Sequence, residues 1–318
     1  MTPPDTHAPI GPQLPGVAMH LHTPTEPGEA VVVESSRCTK GRKASAIVRH
    51  IVLDISGTRL AGNFRAGQSF GVMPPGLDAR GKPHKVRLYS IASPTTGEDG
   101  QGRHLSTTVK RTIDEHWETH ALFLGIASNW LCDLRPGDKV PVTGPGGKRF
   151  LLPADPGAHD YVFVATGTGI APFRGMVREL LRVAPTPRIA LIMGVPYDTD
   201  LLYDEEFAST RSPSFTYLTA LSRQPQPDAD RPMYVQDRLY AHADLIRSIL
   251  AGDRGLLYVC GLAGMELGVL RALSQVLPGE ALAQYLRVGP DAPAPDAWTR
   301  AMIHRQVAPT RRVFMEVY

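Results

Sequence analysis

At 318 residues, 42% hydrophobic and 20% charged, the chain is long enough for two domains that each bury a core, and no apolar run approaches the length of a membrane span. A net charge of +3 is too small to point to nucleic acid, so any basic site must be a local patch. Cys38, Cys132 and Cys260 lie far apart with no C-x-x-C pair, which excludes a disulfide framework and a four-cysteine iron–sulfur cluster; no metal-ligand spacing stands out.

Residues 1–30 are rich in Pro, Thr and His without hydrophobic periodicity, and predict a disordered or extended arm. The arm lacks an apolar h-region, and Asp5, Glu26 and Glu29 speak against a transit peptide, so a cytoplasmic protein is expected. His20 and His22 in this arm are expected to have no metal role. Residues 31–155 then read as a closed antiparallel β-barrel, with short strands at 30–33, 46–55, 68–73, 87–92, 104–110 and 139–143 bounded by Gly and Pro clusters. A single helix is predicted over Ser128 to Leu134, with Ser128 as its N-cap and Pro136-Gly137 ending it.

From 156 to 318 strands alternate with helices of about ten residues, the pattern of a doubly wound α/β domain with a parallel sheet. Strands are expected at 162–165, 188–194, 215–222, 256–260 and 313–318, and helices at 173–183, 204–211, 239–250 and 263–277, with Tyr234-Val235-Gln236 as a further short element. An aromatic Tyr318 at the last position is unusual for a fraying terminus.

Two stretches carry chemistry. Val162 to Arg174 reads as buried strand, glycine turn and helix start: Gly167 and Gly169 let the backbone turn and approach a ligand, Pro172 suits a first helical turn, and the helix N-terminus would face an anion. The same pattern also serves a simple tight connection. Strand alternation in Arg87-Leu88-Tyr89-Ser90 puts Arg87 and Tyr89 on one face, which reads either as the exposed side of a barrel strand or as a cofactor wall. In the second reading Arg87 neutralises a pyrophosphate and Tyr89 packs on a ring.

Taken in order, RLYS (87–90), VKR (109–111), GIASNWLCDL (125–134), ATGTGIAPFR (165–174), Ser222-Arg223, Met233 to Gln236, VCGL (259–262), Gly264-Met265-Glu266 and Glu316-Val317-Tyr318 resemble the plant-type ferredoxin–NADP+ reductase family, over roughly Ala30 to Tyr318. The glycine-rich strings are also similar to reductase components that serve aromatic acyl-CoA oxygenases.

The resemblance implies FAD and NADP(H) as cofactors. It implies hydride transfer between nicotinamide and FAD N5, and a ferredoxin, similar iron–sulfur carrier or oxygenase component as partner. Arg87, Tyr89 and Ser90 with Gly125, Ile126, Ala127 and Ser128 would hold FAD, Ser90 lying near the reactive flavin edge. Thr166, Gly167, Thr168 and Gly169 would face the NADP pyrophosphate and nicotinamide, Ser222 and Arg223 the 2′-phosphate, and Tyr234 and Gln236 the adenine. Cys260 would abut the nicotinamide, Glu316 would position it or relay a proton, and Tyr318 would stack on the isoalloxazine. Leu88, Thr108, Val109, Lys110, Val195, Pro196, Gly261 and Leu262 complete the implied cofactor contacts.

The chain departs from the family in several places. Asp114 stands where the family has a tyrosine on the FAD adenine, which leaves that end to His116 or Trp117 or less tightly held. Pro232 replaces a lysine that binds the 2′-phosphate, with Arg231 adjacent. Thr108 replaces a cysteine. Lys110, Arg111, Arg311 and Arg312 would form a basic rim for an acidic partner. An NADH-dependent reductase and a catalytically silent nucleotide-binding module are the alternatives.

Overall fold

A computed structural model describes residues 11–41, 43–183 and 185–318. The first half builds an antiparallel sheet from β1 (Gly28–Arg37), β2 (Val48–Asp54), β3 (Ser69–Val72), β4 (Arg87–Ser90), β5 (His104–Lys110) and β8 (Lys139–Gly146). Between β5 and β8 lie a hairpin, β6 (Ile113–Glu115) and β7 (Leu122–Leu124), and a helix, α1 (Ile126–Asp133). The strand order is β4-β3-β8-β1-β2-β5, and the inward residues Ile51, Leu53, Phe70, Val72, Leu105, Val109, Val140 and Val142 share one core. Apolar side chains at alternating positions, one face in, account for that order.

The expected barrel is not closed. Its end strands, β4 and β5, share no continuous ladder; they meet at the Ile91–Thr107 bridge, where Ala92 N donates to Ser106 O at 2.8 Å. β4 has only four residues, and Pro94, which has no N–H to donate, follows soon after it. The helix starts two residues earlier than predicted, with Gly125 as its N-cap. Ser128 sits inside the first turn, accepting from Thr112 N at 3.1 Å and donating to Gly125 O at 3.2 Å.

Residues 1–10 of the expected arm lie outside the described residues. Residues 11–22 run along the end of β8, and the chain then turns between Thr23 and Glu26 before β1. Ala154 N donates to Gln13 O (2.9 Å), Gln68 Nε2 to Ala18 O (3.1 Å) and His22 N to Gly144 O (3.0 Å). His22 is buried between Glu26 O (3.2 Å from Nδ1) and Arg59 N (3.0 Å from Nε2), a packing role.

The second half alternates β9 (Asp160–Thr166), α2 (Ile170–Leu180), β10 (Ile189–Val195), α3 (Asp204–Ser209), β11 (Phe215–Leu221), α4 (Val235–Ala241), α5 (Ala243–Leu250), β12 (Gly255–Gly261) and α6 (Met265–Val276). A short helix, α7 (Gly279–Ala283), and a hairpin, β13 (Leu286–Val288) with β14 (Val307–Pro309), precede β15 (Val313–Val317). All pairings in the five-stranded sheet β11-β10-β9-β12-β15 are parallel. Successive β9 residues feed opposite cores, Tyr161, Phe163 and Ala165 one, Val162 and Val164 the other, which is why its sequence is an unbroken apolar run. The short element at Tyr234 to Gln236 is the start of α4, with Tyr234 as its N-cap, and the helix expected over 239–250 breaks at His242. Strand order reverses between β9 and β12, the point where open α/β sheets bind ligands.

A buried polar seam fixes α2 against the first sheet. Arg174 bonds Glu98, donates from Nε to Glu206 Oε2 at 2.7 Å, and lies 4.9 Å from the centre of the Tyr203 ring. Glu98 also accepts from Arg178 Nη1 and Ser106 Oγ, each at 2.6 Å, while the Tyr203 hydroxyl bonds Thr108 Oγ1 (2.6 Å) and His50 Nδ1 (2.9 Å). Burial, with Arg174 nearby, depresses His50 to about 4, so its ring is neutral at physiological pH. At Gly175 a Cβ would stand 2.3 Å from Ser93 O; only glycine lets the helix sit this close to the segment that follows β4.

Candidate active site

β4 and the start of α1 wall a groove of about 320 Å³ lined by Arg87, Tyr89, Gly125, Ile126, Ala127 and Ser128, together with His84, Lys85, Thr112 and Phe123. Among the described residues the Arg87 guanidinium reaches only the Val86 carbonyl, at 3.5 Å. The first N–H groups of α1 have no acceptor within the helix and form the positive end of its dipole. Burial pushes the Tyr89 hydroxyl up to about 12, which leaves its ring a neutral flat face. An unpaired guanidinium, free helix N–H groups and an aromatic face form a donor set for a pyrophosphate flanked by rings.

A second cavity, of about 620 Å³, opens at the carboxyl ends of the parallel strands. Thr166 ends β9 and Gly167 and Thr168 follow it, Val195 ends β10 and Pro196 follows it, Ser222 and Arg223 follow β11, and Leu262 follows β12; Tyr234, Gln236 and Tyr318 complete this side. Lys110, Thr39 and Ser45 close it from the first half of the chain, so the cavity lies between the two sheets. Backbone bonds fix the loops: Ser222 N donates to Val195 O, Arg223 N to Pro196 O and Tyr318 N to Gly261 O, each at 3.0 Å. Tyr318 is 61% exposed, and its hydroxyl lies 2.7 Å from Thr168 Oγ1.

The two turn glycines do different work. Gly167 has φ +53° and open space where a Cβ would point, which suits approach by a ligand. Gly169, expected to do the same, faces the protein: a Cβ there would stand 2.2 Å from Cys260 O, so this glycine lets the turn pack on β12. Gly261 (φ +142°) likewise admits Thr166, whose Oγ1 accepts from Leu262 N at 2.9 Å. Cys260 is fully buried, and burial together with Glu316 holds its thiol protonated. Glu316 pairs with Cys260 across β12 and β15, and burial lifts its carboxyl to about 7.

Not every expected residue lines one of these two cavities: Ser90, Gly169, Cys260, Gly261 and Glu316 line neither, and Leu88 is exposed beside the first groove. Val109 is buried in the core, and Thr108 is committed to the Tyr203 seam. The expected basic rim does not assemble. Arg111 bonds Asp133 and Asn129, while Arg311 and Arg312 precede β15, about 20 Å of extended chain from Tyr318. His84, Lys85 and Phe123, which sequence reasoning missed, come from loops and a hairpin without periodic pattern. Among the described residues no group of three or more His, Cys, Asp or Glu is placed to hold a metal ion, and no helix is long and apolar enough to cross a membrane.

Comparison with known proteins agrees with this geometry. The family model of the oxidoreductase NAD-binding domain matches residues 163–270. The chain is 40% identical over 272 residues to the root isozyme 1 ferredoxin–NADP reductase of Arabidopsis thaliana, covering 81% of this chain and 70% of that protein. It is 36% identical over 275 residues to the ferredoxin–NADP reductase of Thermosynechococcus vestitus, covering 84% and 70%. The fold matches the ferredoxin–NADP+ reductase of Plasmodium falciparum solved with 2′P-AMP at a TM-score of 0.68 and 21% identity, over 95% of this chain and all of the other. With the ordered motifs, the two-sheet architecture and these relatives together, the chain belongs to the plant-type ferredoxin–NADP+ reductase family.

Proposed function

We propose that the protein is an FAD-dependent reductase that moves electrons between NADPH and a one-electron carrier of the ferredoxin type. The observation that carries this reading is the cavity between the sheets, where Thr166 to Thr168, Arg223, Tyr234 and Tyr318 meet Lys110. The first groove fits FAD by its donor set: the free Arg87 guanidinium and the α1 N-terminus suit a pyrophosphate, and Tyr89 suits a ring. Bound FAD supplies hydride acceptance and one-electron release, which nicotinamide alone does not.

The chain's own residues bind, orient and exclude water. Arg87 and the α1 N–H groups neutralise phosphate charge, and the seam around Arg174 holds the Thr166–Gly169 turn in place beside the first sheet. Tyr318, bonded through its hydroxyl to Thr168, covers the nicotinamide position and must move aside when that ring enters. Cys260, protonated and buried, packs behind the ring, and Glu316, half-charged near neutrality, can hold or pass a proton at its carboxyl. Lys85 lines the groove and is exposed, as are Arg80 and Lys82 a few residues before it, a basic stretch that suits an acidic carrier.

Pro232, where the family carries a lysine, favours weighing NADH as a second donor. Steady-state rates with NADPH and NADH before and after Arg223→Ala decide between them. NADPH is expected to be preferred, with the preference falling about 10-fold or more in the variant. Equal rates in both proteins mean that Arg223 binds no 2′-phosphate. Ferredoxin and an oxygenase component, offered as acceptors to the enzyme once NADPH has bleached its yellow flavin, identify the partner. Nucleotide binding with no reduction of either, or of ferricyanide, identifies a silent module.

A further inference from the structure

The hairpin β6–β7 projects from the first sheet with most of its side chains in solvent. Its register pairs Ile113 with Leu124, Asp114 with Phe123 and Glu115 with Leu122. Residues directly opposite in an antiparallel pair point to the same face, so Asp114 and Phe123 share one face and the other pairs share the other. Phe123 is 62% exposed yet lines the groove that holds Arg87, Tyr89 and Ser128. His84 and Lys85 line the same groove. Phe123 precedes the first residue of α1 by three positions, roughly 10 Å of extended chain, and Gly125 N, bonded to Thr112 O at 3.0 Å, ties the hairpin base to the helix. A nucleotide whose phosphates meet the α1 N–H groups and Arg87 would thus reach an open aromatic face along the same groove. Trp117, 80% exposed, and His116 sit in the hairpin turn and do not line it.

We propose that Phe123 is the platform on which the adenine of FAD rests, one strand across from the position where the family carries its aromatic ring. The proposal rests on the reading that the protein binds FAD. Sequence reasoning left that end of the cofactor to His116 or Trp117; the register moves it to the partner strand.

Titration of FAD-stripped protein with FAD and with FMN, followed by flavin fluorescence, tests it, because FMN keeps the ring and one phosphate and lacks the adenine. Loss of one base–aromatic stack weakens binding on the order of 10- to 100-fold. Phe123→Ala is expected to weaken FAD by that factor and leave FMN unchanged, Phe123→Tyr and Trp117→Ala to keep wild-type FAD affinity, and Asp114→Tyr combined with Phe123→Ala to recover it. Unchanged FAD affinity in Phe123→Ala overturns the proposal alone, as does equal weakening of FMN, which would make the ring a support of the hairpin. A wild-type protein that takes up no FAD overturns the functional reading, and this proposal with it.

Discussion

Replacing Glu98 by glutamine tests how firmly the seam joins the two sheets, since the change keeps the shape and removes the charge. The carboxylate, 16% exposed in its side chain, faces Arg174 and Arg178 and accepts from Ser106 Oγ. Burial alone would raise its pKa, but hydrogen bonds from Arg174, Ser106 and Arg178 and the Arg174 charge outweigh it and hold the group at about 2. A fall from 4.5 to about 2 corresponds to roughly 3 kcal/mol of stability at neutral pH, in the range expected when one partner of a buried pair is removed. The sign follows from proton binding. Between pH 4.5 and 2 the unfolded chain holds the proton and the folded chain does not, so this stabilisation is complete above 4.5 and is lost as pH falls. Urea unfolding at pH 7 should show Glu98→Gln less stable by about 3 kcal/mol, and the difference should shrink toward pH 3. A variant within about 0.5 kcal/mol of wild type at pH 7 would refute the reasoning, because the seam would then be a surface network screened by solvent.

Glu316 gives the opposite slope. Its folded pKa, raised by burial to about 7 from 4.5, means the folded state holds the extra proton between those values, so its contribution to stability falls as pH rises through that window. Rapid-mixing rates of hydride transfer from NADPH should show an inflection near pH 7 that Glu316→Gln removes; an inflection that survives assigns the proton to another group. At the turn, Gly169→Ala should cost more than Gly167→Ala. Its new methyl would meet backbone atoms of Cys260 at 2.2 and 2.4 Å, whereas the methyl at 167 enters open space and faces only the left-handed strain of about 1–2 kcal/mol. A lower urea midpoint for Gly167→Ala than for Gly169→Ala reverses the assignment of the two glycines.

The parts of the fold that were legible are those where burial writes a pattern. β9, β10 and β12 are covered on both faces, so their apolar runs located them to within two residues, and β5 matched its expected ends. The hairpin at 113–124 left no such trace, because its apolar residues face solvent or the groove and its polar residues read as a loop. Nothing in the sequence around Glu98, Arg174 and Arg178 marks these charges as buried. Only packing of α2 on the segment after β4 buries them, and that contact depends on Gly175, whose need to be glycine arises from Ser93, more than eighty residues earlier in the chain.

The same division runs through the site. Arg87, Tyr89, Thr166 to Thr168, Arg223, Tyr234 and Tyr318 lie at strand or helix ends, where local sequence and topology together determine which way a side chain faces, and all of them line a cavity. Arg311 and Arg312, expected with Lys110 and Arg111 to form a basic rim, lie near Tyr318 in sequence but not beside it in the fold. A parallel strand carries its two ends to opposite edges of the sheet, so nearness along β15 becomes separation across the molecule. Phe123 shows the converse. Read along the chain it is nine residues from Asp114, with nothing to connect them; read across the hairpin it is the neighbour of Asp114, and an aromatic ring lost at one position can be supplied at the other without moving the backbone.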